Sequence, residues 1–556
     1  MIGIISKTFE KEIVQEFFEL FKTPWEFYNA SRYYDVVLST GDYFSNIETK
    51  LLLIYGSNKT LYDSEGSIGI GSNKKGTILE YGDWYLPIYK NALTFISSNK
   101  PVLRIKGSAE VVEIAAGIEI NQKEKKIIRI GYDLFQEIYF LFLSGQPAEY
   151  AHIPTLEIHI SILRDLILRS GIPLVEIPPV PSGYDFITCL THDVDFAGIR
   201  FHRFDRTMFG FIYRALIGSF IGVLRGRTSW KKLLKNWKAV FLLPWVYLGC
   251  AEDFFNQFDK YIEIEKGLGS TFFVIPYKNK GGRDISGREI KERAVKYDVL
   301  DIKPVLEKLV KSGCEVGVHG LDAWMDSERG RKEYDLISSI VTITDIGTRM
   351  HWLFFNGQTP EKLEKAGFFY DSTLGYNDAV GYRSGTTQVF RPPGAKRLLE
   401  LPLNIQDSAL FYPKRMNLAE LKAMESAKNI VKALKLFGGV LTVNWHQRSL
   451  GPERLWDDFY IRFLEDLKTH NVWFARGGDA VKWFQRRRSV FFEKSEFDGK
   501  SLKLKLGGYA FNQQPGLMVR IHRPIEKEKE TLISNKCMCS HFDYPLEDNT
   551  ELEISF

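Results

Sequence analysis

The chain has 556 residues, of which 44% are hydrophobic and 26% are charged, and its formal net charge is +5. This composition is that of a globular protein able to bury a sizeable core, and the small charge gives no basis for nucleic-acid binding. Five cysteines at scattered positions exclude a disulfide framework and favour a reducing compartment.

Residues 1–180 are predicted to form a separate N-terminal α/β domain. Residues 1–12 lack a basic segment followed by a long apolar stretch, so we expect no signal peptide and a cytoplasmic location. Hydrophobic periodicity predicts a helix over 11–21, strands over 34–38 and 51–55, and helices near 131–143 and 155–170. The proline-rich residues 178–183 predict a linker. A role in binding, docking or dimerisation is the preferred interpretation of this domain.

Strand and helix patterns alternate between residues 181 and 490, as a β/α barrel requires. Predicted strands cover 186–190, 270–275, 314–318, 398–403, 439–445 and 472–475, and predicted helices cover 302–312, 360–366, 418–436 and 479–487. Residues 491–556 read as a small C-terminal β unit, where Cys537, Cys539 and His541 lack the fourth ligand of a metal site. The predicted fold class is therefore α/β, a distorted β/α barrel between an N-terminal α/β domain and a C-terminal β unit.

A basic and apolar segment at about residues 205–250 interrupts the barrel. Residues 209–224 and 239–248 are apolar, and between them lie Arg225, Arg227, Lys231, Lys232, Lys235 and Lys238. A membrane-spanning helix needs roughly 20 apolar residues, whereas Arg214 interrupts the first run and the second is short and contains Pro244. Two interpretations stay open: a helical insertion packed on the protein, or an interfacial hairpin over 209–248 in peripheral contact with an anionic membrane.

Polar side chains follow the ends of the predicted barrel strands. The strand over 186–190 runs into Thr-His-Asp-Val-Asp at 191–195, and the strand over 314–318 leads to His319. Arg349 and His351 share a third extended run, and His446 ends the run over 439–445. Barrel enzymes build their sites at strand ends, and aspartate with two histidines can hold a hydrolytic divalent metal.

At these motifs, residues 185–490 resemble the polysaccharide deacetylases of the NodB-homology type, in the branch whose first motif reads Thr-His-Asp-Val-Asp. The resemblance implies a NodB-like barrel that removes the acetyl group of an N-acetylated amino sugar in polysaccharide or glycoconjugate metabolism. It implies Asp193 as the catalytic base, Asp195 and His319 as metal ligands, and His446 as the general acid. The implied cofactor is a divalent metal, preferably zinc, with cobalt, nickel or manganese as alternatives.

One position departs from the family pattern, since Ala323 stands where the second motif supplies a further histidine. We predict that His351 replaces that ligand. Arg349 lies one strand–helix–strand unit after His319, where the family's arginine belongs, and it would hold Asp193 by a charge-assisted bond. His351 would point the same way, because side chains two residues apart on a strand share a face.

Two residues are predicted to bind substrate, and two other functions stay open. Arg391, in the Arg-Pro-Pro-Gly run that also resembles the family's arginine motif, comes a strand–helix unit too late to hold Asp193, so we assign it to substrate, as we do Trp445. The alternatives are a deformylase of a modified amino sugar and a metal-free barrel that only binds glycan. Ala323 favours the metal-free barrel, whereas the retained aspartates, arginine and late histidine argue against it.

Overall fold

The computed structural model describes residues 1–41, 47–66, 68–96, 99–107, 115–122, 125–226, 228–497, 501–508, 513–524, 541–546 and 551–555. Arg227, Cys537 and Cys539 lie outside the described residues. The group of Cys537, Cys539 and His541 that was weighed as a metal site therefore also lies partly outside them. The chain divides into two compact units. The first comprises Met1–Ser182, Ser384–Thr386 and Trp483–Phe556, and the second comprises Gly183–Arg383 and Thr387–Lys482. The division into three domains at 180 and 490 stays a prediction.

The strands, in chain order, are β1 (Ile2–Ile5), β2 (Trp25–Phe27), β3 (Val36–Ser39), β4 (Leu51–Tyr55), β5 (Gly69–Tyr81), β6 (Trp84–Ile96), β7 (Lys100–Ile105), β8 (Ala115–Gln122), β9 (Lys125–Ile130), β10 (Leu174–Glu176), β11 (Phe186–Val194), β12 (Ser270–Val274), β13 (Glu315–Gly320), β14 (Gly347–Met350), β15 (Tyr370–Asp371), β16 (Leu399–Glu400), β17 (Ile405–Gln406), β18 (Val440–Asn444), β19 (Val472–Phe474), β20 (Phe491–Phe497), β21 (Ser501–Gly507), β22 (Leu517–His522), β23 (His541–Leu546) and β24 (Glu551–Ser555).

The α-helices are α1 (Lys11–Phe21), α2 (Leu61–Glu65), α3 (Leu134–Leu143), α4 (Thr155–Leu168), α5 (Arg206–Tyr213), α6 (Ser219–Leu224), α7 (Trp230–Leu248), α8 (Phe258–Ile264), α9 (Lys303–Lys311), α10 (Ser327–Val341), α11 (Thr359–Ala366), α12 (Asp407–Phe411), α13 (Glu420–Phe437), α14 (Asp457–Lys468) and α15 (Gly477–Ser489). A π-helical turn, Arg214–Gly218, joins α5 to α6.

The second unit is built on a curled parallel sheet, which confirms the distorted β/α barrel. Its strand order is β16-β15-β14-β13-β12-β11-β18-β17, and β19 also pairs with β11. Each of these neighbouring pairs is parallel. Every residue of β11 and β13 is buried, as expected where helices cover both faces of a parallel sheet.

The first unit carries a mixed sheet and two small antiparallel sheets. The mixed sheet has the order β2-β1-β3-β4-β9-β8-β6-β5-β7, in which β1 to β4 and β9 are parallel and β5 to β9 form antiparallel pairs. The sequence analysis predicted β3, β4 and α1 but none of β5 to β8. The C-terminal strands form β20-β21-β24 and, with β10 from the N-terminal residues, β10-β22-β23.

Most predicted elements of the barrel match the structure to within two residues, but the predicted strand over 398–403 does not. Only Leu399 and Glu400 pair there, as β16. Pro402 follows, and because proline has no backbone N–H it cannot donate to a strand ladder. This segment therefore leaves the sheet shortly after it enters.

The insertion forms a helical hairpin, α5 to α7, within the second unit. Its inner side is apolar, since Met208, Phe211 and Ala215 pack with residues of α7 such as Leu243 and Val246. The helix α7 continues through Pro244 and contains the whole of the second apolar run, 239–248, together with the lysines that precede it. Among the described residues, one helical stretch, 206–224, is long and apolar enough to cross a membrane by length and composition alone.

Candidate metal centre

The carboxyl ends of neighbouring parallel strands bring the predicted residues to one cavity. Asp193 and Asp195 lie at the end of β11, His319 lies in β13, Arg349 and His351 lie at the end of β14, and His446 follows β18. A cavity of about 530 Å³ opens at this edge of the sheet. The predicted residues that line it are Asp193, Asp195, His319, His351 and His446.

Asp195, His319 and His351 direct one atom each toward a common point. The Nε2 atoms of His319 and His351 each lie 3.5 Å from Asp195 Oδ1. The three candidate ligand atoms lie within 4.8 Å of one another. The side chain predicted to replace the missing family histidine is thus part of a compact cluster of the carboxylate and imidazole groups that divalent metals bind.

Two observations show that this cluster fits a divalent ion. Bonds of about 2.0–2.2 Å at a tetrahedral angle place neighbouring ligand atoms roughly 3.4 Å apart, which the 3.5 Å separations match. Asp195 Oδ1 is buried and has no hydrogen-bond partner among the described residues, which is costly for a carboxylate unless a cation is bound. The donor set suits zinc and also other divalent ions, so it leaves the identity of the metal open.

The backbone of β14 orients His319 for ligation. His319 Nδ1 lies 2.8 Å from the carbonyl oxygen of Arg349, its register partner on the adjacent strand. Because a carbonyl oxygen can only accept, Nδ1 carries the proton and Nε2 presents its lone pair to Asp195. Metal-binding histidines commonly use their second nitrogen in this way.

His351 is held by a turn rather than by the strand. β14 ends at Met350, and the next two residues after His351, Trp352 and Leu353, have left-handed backbone with φ of 63° and 57°. Such conformations are costly for residues other than glycine and persist where the surroundings impose them. One restraint is Arg293, whose Nη2 donates to the His351 carbonyl oxygen at 2.6 Å.

The electrostatic environment keeps the cluster ready to bind a cation. Burial alone would raise the pKa of the Asp195 carboxyl, but the His319, His351 and His446 imidazoles lower it well below its ordinary value. Burial lowers the pKa of His351 far below its ordinary value, an effect that Asp195 opposes and the His319 and Arg293 charges reinforce. At neutral pH the ligand set is therefore a carboxylate with a neutral His351 imidazole, the forms that bind metal.

Asp193 is fixed by two donors beside the cluster. Arg349 Nη1 donates to its Oδ1 at 2.9 Å, and Asn444 Nδ2 donates to its Oδ2 at 2.8 Å. Asp193 Oδ2 also lies 3.8 Å from His319 Nε2. Both Asp193 and Arg349 are buried, so their ion pair is shielded from water and is completed by hydrogen bonds, as a stable buried pair requires.

Arg349 is itself anchored on three sides. Its Nε donates to the Ser372 carbonyl oxygen at 2.9 Å, its Nη2 to Ser372 Oγ at 2.8 Å, and its Nη1 to Thr191 Oγ1 at 2.8 Å. Thr191 begins the Thr-His-Asp-Val-Asp motif, so the same guanidinium orients two residues of that motif. The expected contact between Arg349 and Asp193 is present.

His446 pairs with the buried Asp407, a residue that was not predicted from the sequence. Asp407 Oδ1 accepts from His446 Nδ1 at 2.6 Å, and Oδ2 accepts from the His446 backbone N–H at 2.8 Å. Ser449 Oγ also donates to Asp407. Burial alone would lower the pKa of His446, but the Asp407 carboxylate outweighs it and raises that pKa to about 9. His446 Nε2 faces Asp195 Oδ2 at 3.7 Å.

Asn444 and Asp407 could have been found from the sequence by the rule that found the others. Asn444 is the last residue of β18, and Asp407 follows β17 directly. Both are polar residues at strand ends. Asp407 was missed because β17 is only two residues long and gives no clear strand pattern.

The departure at Ala323 is real. Ala323 is buried and offers no ligand atom. The neighbouring Asp322 is held elsewhere, because its carboxylate accepts from the Arg283 backbone N–H at 2.7 Å and from Arg329 Nη1 at 2.8 Å. His351 occupies the third position of the cluster instead.

The structure places both predicted substrate-binding residues away from the cavity wall. Among the described residues that line the cavity, neither Arg391 nor Trp445 occurs. Trp445 is buried in the core, where its ring stacks on Tyr460 with centroids 5.1 Å apart. Direct contact of Trp445 with substrate therefore finds no support in this arrangement. Trp352, Tyr412 and Arg415 line the cavity and are better placed for that role.

Two further histidines near the motif, His192 and His202, have partners within the protein. His192 is fully buried, and its two ring nitrogens contact the Trp445 carbonyl oxygen at 2.8 Å and Glu265 Oε2 at 3.1 Å. His202 lies at the cavity wall with its Nδ1 2.8 Å from Asp205 Oδ2.

No protein-family model and no curated protein sequence matches the chain. Several solved structures do. A Mycobacterium smegmatis protein assigned as a polysaccharide deacetylase is 18% identical, with 55% of this chain and 94% of that chain covered at a TM-score of 0.34. A Pseudomonas aeruginosa PAO1 protein with the same assignment is 17% identical, with 58% and 98% covered at 0.34. The carbohydrate deacetylase Agd3 is 9% identical, with 100% and 99% covered at 0.37. These values are too low to support a conclusion about activity.

Proposed function

We propose that the second unit is a metal-dependent hydrolase of amide C–N bonds that removes the acetyl group from an N-acetylated amino sugar. The observation that carries the proposal is the Asp195–His319–His351 cluster, which faces Asp193 and His446 across one cavity. A metal-ligand set, a fixed carboxylate and a protonated histidine are the groups that amide hydrolysis needs. The Thr-His-Asp-Val-Asp motif adds the resemblance to polysaccharide deacetylases and hence the class of substrate.

A divalent ion held by Asp195, His319 and His351 would lower the pKa of a water and stabilise negative charge on the substrate carbonyl oxygen. We propose zinc, because a carboxylate and two imidazoles form one of its usual hydrolytic ligand sets.

Asp193 is suited to act as the general base. Its carboxylate is fixed by Arg349 and Asn444 and lies next to the metal position, 3.8 Å from His319 Nε2. It would accept a proton from the water that attacks the carbonyl carbon. The two donors hold its orientation while it does so, which keeps the proton transfer within hydrogen-bond reach.

His446 is suited to act as the general acid. Its pKa of about 9 keeps it protonated at neutral pH, and Asp407 holds Nδ1, so the Nε2 proton points to the cavity. The nitrogen of the breaking C–N bond must gain a proton to leave as an amine. The products are acetate and an amino sugar.

The test is a metal-dependent release assay. The protein is stripped with chelator, reloaded with zinc, cobalt, nickel or manganese, and incubated with soluble N-acetylated and N-formylated amino sugars while acetate and formate are measured. We expect acetate release that disappears on chelation and returns with metal. Release of formate alone would favour the deformylase. Glycan binding without release of either acid, by protein that has taken up metal, would refute the hydrolase proposal.

A further inference from the structure

The hairpin formed by α5, the π-helical turn, α6 and α7 exposes large apolar side chains along both of its helical arms. The exposed residues are Phe209, Tyr213, Ile217, Phe220 and Leu224 on the first arm, and Trp230, Leu234, Phe241, Trp245 and Leu248 on the second. They recur at intervals of three, four or seven residues, so on each arm they share one side of the helix. Single exposed apolar residues are ordinary, but a set of this size marks an interaction surface.

This exposure does not arise from an incomplete core. The opposite side of the hairpin is already packed, with Ala215 of the π-helical turn among the buried residues that contact Ala239, Leu243 and Val246 of α7. The arms are also tied together, because Trp237 Nε1 donates to the Leu216 carbonyl oxygen at 3.4 Å. The hairpin is thus a packed element with a second apolar side that faces outward.

The charge of the hairpin has one sign. Residues 206–251 contain no aspartate or glutamate, and their eight basic residues are Arg206, Arg214, Arg225, Arg227, Lys231, Lys232, Lys235 and Lys238. Arg214 and Lys232 bind Glu453 and Glu420 at 3.1 and 3.0 Å. Lys231, Lys235 and Lys238 are exposed on α7, spaced so that they form a row beside its apolar side.

The hairpin begins at the mouth of the cavity. Arg206 and Thr207, the first residues of α5, line the same cavity as Asp195 and His319. Phe209, the first exposed apolar residue of the hairpin, follows two residues later and is 56% exposed. A surface bound by the hairpin would therefore lie beside the entrance to the candidate metal centre.

We propose that this hairpin docks the protein on an anionic lipid bilayer, and that the substrate is an N-acetylated amino sugar carried on a lipid there. Aromatic and aliphatic side chains on one side of a helix, with lysines beside them, are the pattern of helices that lie in a membrane interface. A row of exposed lysines on a segment that contains no aspartate or glutamate of its own complements anionic headgroups. The part about the substrate rests on the proposed deacetylase function, whereas the docking does not.

Docking is tested by sedimentation with phosphatidylcholine vesicles that contain or lack phosphatidylglycerol. We expect binding at least about tenfold tighter to the anionic vesicles, and weaker binding as salt rises from about 0.1 to about 0.5 M. The variant K231E/K235E/K238E should lose most of this preference, whereas K311E/K432E/K435E, with the same change in net charge elsewhere on the second unit, should keep it. Likewise F241S/W245S should weaken binding and L300S/L421S, at exposed residues outside the hairpin, should not.

Three results would overturn the docking proposal. The first is equal sedimentation with both kinds of vesicle. The second is a dimer in solution that the hairpin variants convert to monomer without any vesicle binding, since a second copy would then cover the apolar side. The third is membrane association that only detergent reverses, which would mean that residues 206–224 span the bilayer.

The substrate part is tested with an N-acetylglucosamine glycolipid in phosphatidylglycerol vesicles and with soluble N-acetylglucosamine oligomers. K231E/K235E/K238E should release acetate at least about tenfold more slowly from the glycolipid and at the normal rate from the soluble oligomers. Equal rates of this variant and the wild type on the glycolipid would refute the lipid-borne substrate. No acetate from either substrate with wild-type protein that binds vesicles would refute the deacetylase function and leave docking intact.

Discussion

The candidate metal cluster and the two residues proposed to transfer protons, Asp193 and His446, share one cavity, yet their polar atoms are arranged in opposite ways. In the cluster, Asp195 Oδ1 lacks a hydrogen-bond partner among the described residues and faces two imidazole nitrogens at 3.5 Å. By contrast, Asp193 receives hydrogen bonds on both oxygens, and His446 is held through Nδ1 by Asp407. The ligand atoms of Asp195, His319 and His351 lie close together, which suits the binding of a cation. Asp193 and His446 are instead held by hydrogen bonds with neighbouring residues, which fix their orientation. The following predictions test that distinction.

The largest effect is expected from Asp195→Ala, which removes the carboxylate at the centre of the cluster. Because the metal's stabilisation of the transition state is worth several kcal/mol, the rate of acetate release should fall by roughly 10³-fold or more. Asp322→Ala serves as the matched control, since that carboxylate is engaged by Arg329 and should cost only a few-fold. A near-normal rate in Asp195→Ala would remove the cluster from the mechanism.

Asp193→Asn tests the role of the hydrogen-bonded carboxylate beside the cluster. The amide keeps the shape of the side chain but cannot take a proton, so kcat should fall by on the order of 10²- to 10⁴-fold. Metal content, measured by elemental analysis, should stay at the wild-type level. Loss of metal together with activity would show that Asp193 is a ligand, and the distinction between metal ligands and proton-transfer residues would then be wrong.

Asp407→Asn should change the pH dependence of the reaction. Burial lowers the pKa of His446, but the Asp407 carboxylate, together with Asp195 and Asp193, outweighs burial and raises that pKa to about 9, so wild-type activity should persist until the pH passes about 9 and His446 loses its proton. In the variant this loss should move toward pH 6.5 and be visible in the profile of kcat against pH. An unshifted upper limb would show that another group donates the proton.

The same pair should contribute to stability with a defined sign. Because the pKa of His446 is higher in the folded protein than the ordinary value, the stabilisation is complete below about pH 6.5 and is lost as the pH rises through about 9. Urea denaturation of the wild type should show this decline, and Asp407→Asn should flatten it. A decline of equal size in both proteins would have to come from other groups.

The smallest effect is expected from Arg391→Ala, compared with Arg349→Ala. Removal of Arg349 leaves the buried Asp193 carboxylate without its cation, which should lower the free energy of unfolding by about 3–5 kcal/mol and abolish activity while metal is kept. Arg391 does not line the cavity among the described residues, so its loss should change activity by only a few-fold. An inactive Arg391→Ala beside an active Arg349→Ala would mean that the arginine motif was assigned to the wrong strand.

Most of the candidate site could be predicted from one rule, that polar residues at the ends of parallel strands meet at one edge of the sheet. Asp193, His319 and Arg349 lie in the last residues of buried strands and Asp195 directly follows one, and the parallel pairing of those strands brings their ends together. Asp407 follows a strand of two residues, too short to show a pattern. His351 was predicted from the alternation of a strand, but β14 ends one residue earlier and a left-handed turn completes its placement. Trp445 also lies at a strand end, but packing buries its ring, which a strand-end position alone does not reveal.

The hairpin and the mixed sheet show a second limit of prediction from the sequence. The sequence marked the apolar and basic segment, but composition alone could not separate a packed insertion from a membrane contact. In the structure one side of the hairpin is packed and the other side is exposed, and the membrane contact remains a proposal. The antiparallel strands β5 to β8 escaped prediction because residues such as 69–81 are only partly buried and alternate weakly.

The central claim is that Asp195, His319 and His351 hold a divalent metal, with His351 in place of the family's histidine at Ala323. Titration of zinc into metal-free wild type, Asp193→Asn and His351→Ala, followed by calorimetry, tests it most directly, with far-UV circular dichroism and Tm as checks on the fold. We expect about one tight site per chain in the first two proteins and affinity weaker by at least about 100-fold in folded His351→Ala. Undiminished zinc affinity in His351→Ala would contradict it.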